Sequence, residues 1–387
     1  MHVLGELTVE EFLRDYWHKK PVLIRNAWPD FEPLLSSQEL AGLSLEQEIE
    51  SRIVEENGQD GPWSIRKGPF TEDDYLALPE SHWTLLVQGV DQWIPEAADL
   101  LEHFRFIPGW RIDDLMISYA TDSGSVGPHY DQYDVFLLQA EGQREWRTGQ
   151  MCGEHTPFMK GPKIRILENF EESDRWLLNP GDMLYLPPAL AHWGIARGEC
   201  QTYSIGFRAP ALTELAPLVF DDLMENASDD QRYADPDLSL QDSTGRIDQA
   251  AAQRLRKLLT EAIQDDERLQ SVIGRLMTEP KYAEHVPDAE TLNEDTEALL
   301  RQAPAWKRAE FSRFAYSEHN GHCRFYAMGQ EWKLPLSDLP LARLLADERQ
   351  YGTEALISTI HSETAEKMLK LIMEQHLIYN PEAEYGD

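Results

Sequence analysis

Two textures of apolar patterning divide this chain. Thr8 followed by Glu11 is a capping box, and it predicts a short amphipathic helix over residues 8–19. Pro21-Val-Leu-Ile24 predicts a strand, and Ser36-Ser37 with Glu39 opens a second helix to about residue 48. From there to residue 208 the runs are short, branched and aromatic: Trp83–Val90, Leu115–Tyr119, Val135–Gln139, Lys163–Leu167, Met183–Leu186 and Thr202–Phe207. Turn residues separate them at Asp122-Ser-Gly124, Glu141-Gly142 and Asn179-Pro-Gly-Asp182, the second reading as a hairpin turn between Phe136 and Trp146. Many short strands with Gly and Pro between them predict a β-sandwich or barrel of the jelly-roll kind.

After Ala209-Pro210 the period changes to three and four. Leu212–Glu225, Ile247–Ile263 and Glu267–Thr278 predict helices, with a polar loop from Asn226 to Asp242 between the first two. Phe311–Tyr316 and Cys323–Met328 flank Glu-His-Asn-Gly and predict a β-hairpin. Leu339–Leu345 and Glu363–His376 predict two more helices. The expected domains are 1–208, 209–280 and 281–387.

Composition narrows the function classes. The chain has 387 residues, with 35 Lys plus Arg against 69 Asp plus Glu, a formal charge of −34. Such acidity would suggest disorder in an apolar-poor chain. Here 42% of residues are hydrophobic, and 11 Trp, 14 Tyr and 13 Phe can build a core. The charge argues against coating nucleic acid or an anionic membrane and favours basic partners. No run approaches the roughly 18 apolar residues of a membrane span, and the first residues lack the pattern of a signal peptide. Cys152, Cys200 and Cys323 are far apart and odd in number, which suits a reducing compartment, and a cytoplasmic location is expected.

The candidate chemistry is concentrated at Gly127-Pro-His129-Tyr-Asp131 and at His192. On a strand, His129 and Asp131 share one face because side chains alternate. A His from a distant strand would complete a facial triad with open metal positions, the arrangement of non-haem Fe(II) oxygenases. The competing reading is a satisfied His with an Asp partner, and for His192 a surface-loop His. His-x-Asp/Glu occurs a second time at His361-Ser-Glu363, but that pair opens a predicted helix, where residues two apart do not share a face. His192 follows Met183–Leu186 and a Pro-Pro corner, which delivers it to the mouth of a barrel. Arg144 is expected on the strand after the pair, where a guanidinium could hold a dicarboxylate; taken alone it reads more readily as an exposed strand Arg paired with an acid. Ser118 and Ser204 lie on flanking strands and could donate a hydroxyl to the same carboxylate. Gln132, Tyr133 and Asp134 follow the pair directly and are expected substrate contacts.

Gly127–Phe136, Gln139–Trp146, Pro180–Pro188 and His192 together resemble the JmjC-type 2-oxoglutarate oxygenases, most nearly the ribosomal oxygenases and, within them, the bacterial ribosomal protein arginine hydroxylases. Tyr16–Ile24 resembles the same group, and the likeness is dense over residues 10–208. The resemblance implies a double-stranded β-helix (jelly-roll, cupin-like), then a helical dimerisation region and a small α+β winged-helix-like domain. It implies Fe(II) at His129, Asp131 and His192, 2-oxoglutarate as cosubstrate with its 5-carboxylate on Arg144, and O2. It implies a homodimer whose substrate is an arginine of a basic large-subunit ribosomal protein. No direct nucleic-acid or membrane partner is expected. The alternatives are a metal-binding cupin-type regulator, a cupin enzyme that needs no 2-oxoglutarate, and a lysine demethylase using the same centre. Glu363–His376 carries only Lys367 and Lys370 as Lys or Arg cations, which weighs against a DNA-reading helix.

Overall fold

The computed structural model describes residues 3–56, 63–228 and 230–382. The chain divides into two compact units, Met1–Ala209 and Pro210–Asp387. Among the described residues, the first unit contains thirteen α-helices and strands. They are α1 (Val9–Asp15), β1 (Val22–Ile24), α2 (Ser37–Leu43), β2 (Ser51–Glu56), β3 (Trp63–Lys67), α3 (Glu72–Leu76), β4 (Trp83–Val87), α4 (Pro95–Leu101), β5 (Ile112–Ala120), β6 (Val135–Met151), β7 (Asp174–Leu178), β8 (Met183–Leu186) and β9 (Leu190–Phe207). Thr8 and Ser36 cap α1 and α2, each with a reciprocal Glu at the third helical position, as the sequence predicts.

The strands pair in the order β1-β8-β6-β9-β5-β4-β2-β3, with β7 also on β6. The two long strands β6 and β9 run antiparallel along nearly their whole lengths. This is a cupin-like jelly roll wound around one long strand pair. One face of the sheet packs against the helices through an aromatic core that includes Phe12, Phe104, Phe136, Tyr185 and Phe207. The other face carries Val135, Leu137, Trp146 and Leu184 and bounds the interior of the roll.

Two expectations need correction. Glu141-Gly142 is not a hairpin turn, since β6 continues through it. The pairing with β9 shifts register on both sides of Glu141, so the turn residues form a bulge instead. Gly142 sits at φ +61°, and a Cβ there would lie 2.0 Å from the Glu199 carbonyl oxygen, so only glycine fits. Residues 163–167 form no strand; Leu167 makes one isolated bridge, to Phe158. Apolar runs that line a cavity look like strands in sequence.

The second unit contains α5 (Leu212–Asn226), α6 (Gln249–Ala262), α7 (Asp266–Thr278), α8 (Thr296–Leu300), β10 (Ala305–Arg308), β11 (Phe314–His319), β12 (His322–Ala327), β13 (Gln330–Pro335), α9 (Leu339–Asp347), β14 (Gln350–Gly352), α10 (Thr353–Thr359), α11 (Glu363–Glu374) and β15 (Ile378–Tyr379). The expected hairpin gains a third strand, β13, to make a sheet in the order β11-β12-β13; β14-β10-β15 form another. Helix α7 packs on β11, β12 and β13. That helix therefore packs against the sheet of the winged-helix-like part, although it falls within the stretch 209–280 read from sequence as a separate helical module. No described helix is long and apolar enough to cross a membrane.

Candidate metal centre

His129 and His192 come together through the backbone. A single antiparallel bridge joins them: the His129 amide donates to the His192 carbonyl at 3.0 Å, and the reverse bond is 2.8 Å. Directly opposed residues project to the same side, and the two imidazole centroids are 4.2 Å apart. The Ala189 amide donates to the Asp131 carbonyl at 2.6 Å, which fixes the loop that carries the carboxylate. The pair His129-x-Asp131 thus sits on an extended edge segment with one bridge, and not on a regular strand as expected. His192 is the third residue of β9, reached directly from the Pro187-Pro188 corner.

The tautomers are set by the chain itself. His129 Nδ1 is 2.9 Å from the Gly127 carbonyl oxygen, and His192 Nδ1 is 2.9 Å from that of Leu190. A carbonyl can only accept, so each Nδ1 carries the proton and each Nε2 presents a lone pair. His129 Nε2 and His192 Nε2 lie 4.0 Å and 3.5 Å from Asp131 Oδ2. The three groups have ligand atoms within 4.8 Å of one another. Two imidazoles, each oriented by the bond at its Nδ1, and one carboxylate are a donor set that suits Fe(II).

Burial, with the neighbouring His129 adding to it, draws His192 down to about 4, and Asp131 opposes the shift. The ring is therefore neutral at neutral pH, as a ligand must be. A folded value below the unfolded one of about 6.5 means stability is present above pH 6.5 and is lost as pH falls toward 4. For metal-free protein the loss is expected to be on the order of 3 kcal/mol from this group. Urea titrations at pH 7.5 and 4.5 check it, with His192→Asn expected to make the difference smaller.

These groups line a cavity of about 480 Å3, a size that accommodates a small dicarboxylate together with part of a substrate side chain. Arg144 lines the same cavity at only 2% exposure. Its guanidinium lies over the Trp146 ring at 5.1 Å, its Nη2 donates to the Gly194 carbonyl at 3.4 Å, and its Nε has no hydrogen-bond partner. Burial pulls its pKa below the ordinary guanidinium value, against the pull of the adjacent Cys200. A buried cation so sparsely bonded fits a site for an anionic carboxylate. Ser118 and Ser204 also line the cavity; the Ser118 hydroxyl donates to the Thr202 carbonyl at 3.3 Å. Gln132 and Tyr133 reach the wall as well.

Asp134 does not. Its side chain is fully buried, takes a 2.5 Å bond from the Tyr185 hydroxyl and lies 2.8 Å from His18 Nε2 and 3.7 Å from Arg111. The Tyr185 oxygen accepts in turn from the His18 amide at 2.8 Å. This acid ties the segment before β1 to β6 and β8, so the expected substrate contact is corrected to a structural one. The reason is the pleat: Asp134 precedes Val135, a cavity residue, and its side chain leaves on the opposite face. Asp134→Ala is expected to cost about 2–3 kcal/mol in denaturant unfolding, by stranding the buried Tyr185 hydroxyl and removing the shared carboxylate partner of His18 and Arg111. Protein substrate KM of the folded variant should be unchanged.

Two residues that shape the site were not singled out from sequence. A Cβ on Gly194 would lie 2.6 Å from Arg144 Nε and 2.7 Å from the Trp146 ring, so glycine makes room for both. Trp146 fixes the plane on which the guanidinium rests. The signal available was only their placement beside His192 and Arg144.

Comparison with known proteins agrees with this geometry. The JmjC domain model matches residues 99–215, and a ROXA-like winged helix matches residues 261–377. A probable ribosomal oxygenase of Haemophilus influenzae is 34% identical over 345 residues, covering 84% of this chain and 82% of the relative. The ribosomal protein uL16 3-hydroxylase of Escherichia coli is 37% identical over 274 residues, covering 70% and 72%. The structure of YcfD, a ribosomal oxygenase from Escherichia coli, in complex with cobalt and 2-oxoglutarate superposes with a TM-score of 0.82 at 31% identity, covering 97% of this chain and 98% of that one.

Proposed function

The chain belongs to the JmjC-domain ribosomal oxygenases, which are 2-oxoglutarate-dependent dioxygenases using Fe(II) and O2, and from that premise we propose that it hydroxylates an arginine of a large-subunit ribosomal protein of the uL16 type. In this reading His129, Asp131 and His192 hold the metal and Arg144 holds the far carboxylate of 2-oxoglutarate. The carrying observation is that the three ligand atoms and a buried, under-bonded Arg144 share one cavity. Bound Fe(II) supplies the O2 chemistry by which 2-oxoglutarate becomes succinate and carbon dioxide while one oxygen atom enters the substrate C–H bond.

The chain's own residues do the positioning. The Gly127 and Leu190 carbonyls hold the two imidazoles by their Nδ1 protons and keep both Nε2 atoms turned toward Asp131. Arg144, Ser118 and Ser204 line the same cavity and orient the cosubstrate. Gln132, Tyr133, Asp113 and Asp114 line the wall available to a substrate side chain, with Asp114 Oδ2 already accepting from Gln88 Nε2 and the Gly89 amide. Acids at that wall suit a guanidinium. The formal charge of −34 favours a basic ribosomal protein and speeds encounter with it. A homodimer and a cytoplasmic location are part of the same reading: α6 buries none of its residues, and Leu255, Leu259 and Ile263 stand exposed along and just beyond it.

Mass spectrometry of a uL16-type protein incubated with enzyme, Fe(II) and 2-oxoglutarate tests this. A gain of one oxygen on an arginine, with one succinate formed per product, is expected. Formaldehyde release from a methylated lysine, without oxygen gain, would move the chain to the demethylases. Turnover without 2-oxoglutarate would move it to another cupin chemistry.

A further inference from the structure

Outside the cavity, the described residues contain one other group of three side chains with ligand atoms within 4.8 Å of one another: Glu267, His319 and His322. The β11–β12 hairpin turns on Asn320-Gly321, with Gly321 at φ +88°. That turn makes His319 and His322 direct cross-strand partners, and opposed side chains leave the same face of a sheet. Their rings stack with centroids 4.9 Å apart. Glu267, in the first turn of α7, comes over this pair. Its Oε1 is 2.9 Å from His322 Nε2, and its Oε2 is 3.9 Å from His319 Nδ1. Helix α7 reaches this position because Gly274 rests on the Tyr326 ring, where a Cβ would lie 2.6 Å from ring atoms. The His319 and His322 side chains are only 7% and 13% exposed.

The outer atoms of the group are already engaged. His319 Nε2 is 2.8 Å from the Ser317 hydroxyl, which also meets the Tyr326 hydroxyl at 2.8 Å. That leaves His319 Nδ1 facing the shared space. Arg324 Nη2 donates to Glu267 Oε1 at 2.7 Å, and Arg324 also bonds Glu331. Metal-ligating imidazoles and carboxylates are oriented by such outer partners. The Arg324–Glu267 ion pair with its hydrogen bond to His322 accounts for those three residues. It does not account for His319 Nδ1, which is too far from Oε2 for a hydrogen bond, on a ring stacked against another imidazole.

We propose that Glu267, His319 and His322 form a second metal site, for a divalent ion of the zinc class, that ties α7 to the β11–β12 hairpin. Two imidazole nitrogens and a carboxylate oxygen suit such an ion, with water in the fourth position. The ion replaces the Glu267–His322 bond as the link between helix and hairpin, and Arg324 stays on the carboxylate from outside. The role is structural and does not depend on the reading of the catalytic cavity.

The test uses the full chain carrying His129→Ala and His192→Ala, so that the first site cannot contribute. Chelator-stripped protein is titrated with Zn2+ against a chelating dye, and separately with Co2+ followed by visible absorption. One tight equivalent of Zn2+ and the strong visible bands of four-coordinate cobalt are expected. Adding His319→Gln, or separately His322→Gln, is expected to weaken Zn2+ binding by at least about tenfold and to remove the cobalt bands, with circular dichroism unchanged. The proposal is overturned if the stripped chain takes up no tight equivalent. It is also overturned if binding survives both glutamine substitutions, which would leave the three residues as an ion-pair network.

Discussion

Alanine at His129, Asp131 or His192 is expected to reduce succinate formation to less than about a thousandth of the unsubstituted rate, because groups that merely orient a ligand are already worth ~10–100-fold. In the proposed reading each residue supplies one of only three protein donors, and the trio converges within 4.8 Å. Neither histidine's backbone bridge needs its side chain, so the His129–His192 pairing survives truncation of either ring. Circular dichroism and the unfolding midpoint should therefore change little, while iron content measured by elemental analysis falls with activity. His361→Ala is the control. Its ring lies at the start of α11 in the other unit, and activity should be unaffected. A His192→Ala variant with normal iron and normal turnover would dismantle the ligand assignment.

The second large effect is expected at Arg144. Removing the charged partner of a buried carboxylate costs about 2–5 kcal/mol, which corresponds to about 30-fold or more in affinity. Arg144→Ala should raise the 2-oxoglutarate KM by that factor, with the KM for the protein substrate nearly unchanged. Arg144→Lys keeps the charge but loses the planar contact with Trp146 and the second donor, so its KM should fall between the two. Equal 2-oxoglutarate affinity in the alanine variant would require another anchor in the cavity. The lysine arm separates loss of charge from loss of packing, since alanine also opens a void beside Trp146.

Local chemistry made much of this molecule legible. The capping boxes at Thr8 and Ser36, the strand Val22–Ile24 and the helices α5, α6, α7, α9 and α11 all follow from patterns a few residues long. The jelly-roll class follows from the number of short strands and the turns between them. The residues that the geometry brings to the cavity, His129, Asp131, Arg144 and His192, were named from spacing and resemblance.

What the tertiary structure decided was which face each side chain uses. Val135 and Leu137 line the cavity, so strict alternation along β6 would send Arg144 and Trp146 to the other side. The register shifts around Glu141, with Gly142 at φ +61°, change the parity once and return both residues to the cavity. A bulge depends on the partner strand β9, whose paired residue Gln201 lies 60 positions beyond Glu141, and nothing local in Glu141-Gly142 distinguishes it from a hairpin turn. Ordinary alternation, once Val135 faces the cavity, moved Asp134 from the expected substrate wall to a buried bond with Tyr185. The docking of α7 brought Glu267 over a histidine pair from which 52 residues separate it at the nearer end, from Glu267 to His319. Short-range patterns determine elements because capping, periodicity and turn preferences act within a few residues. Pairing register and helix docking are set by contacts between distant segments, and those are what decide where a charged or metal-binding side chain points.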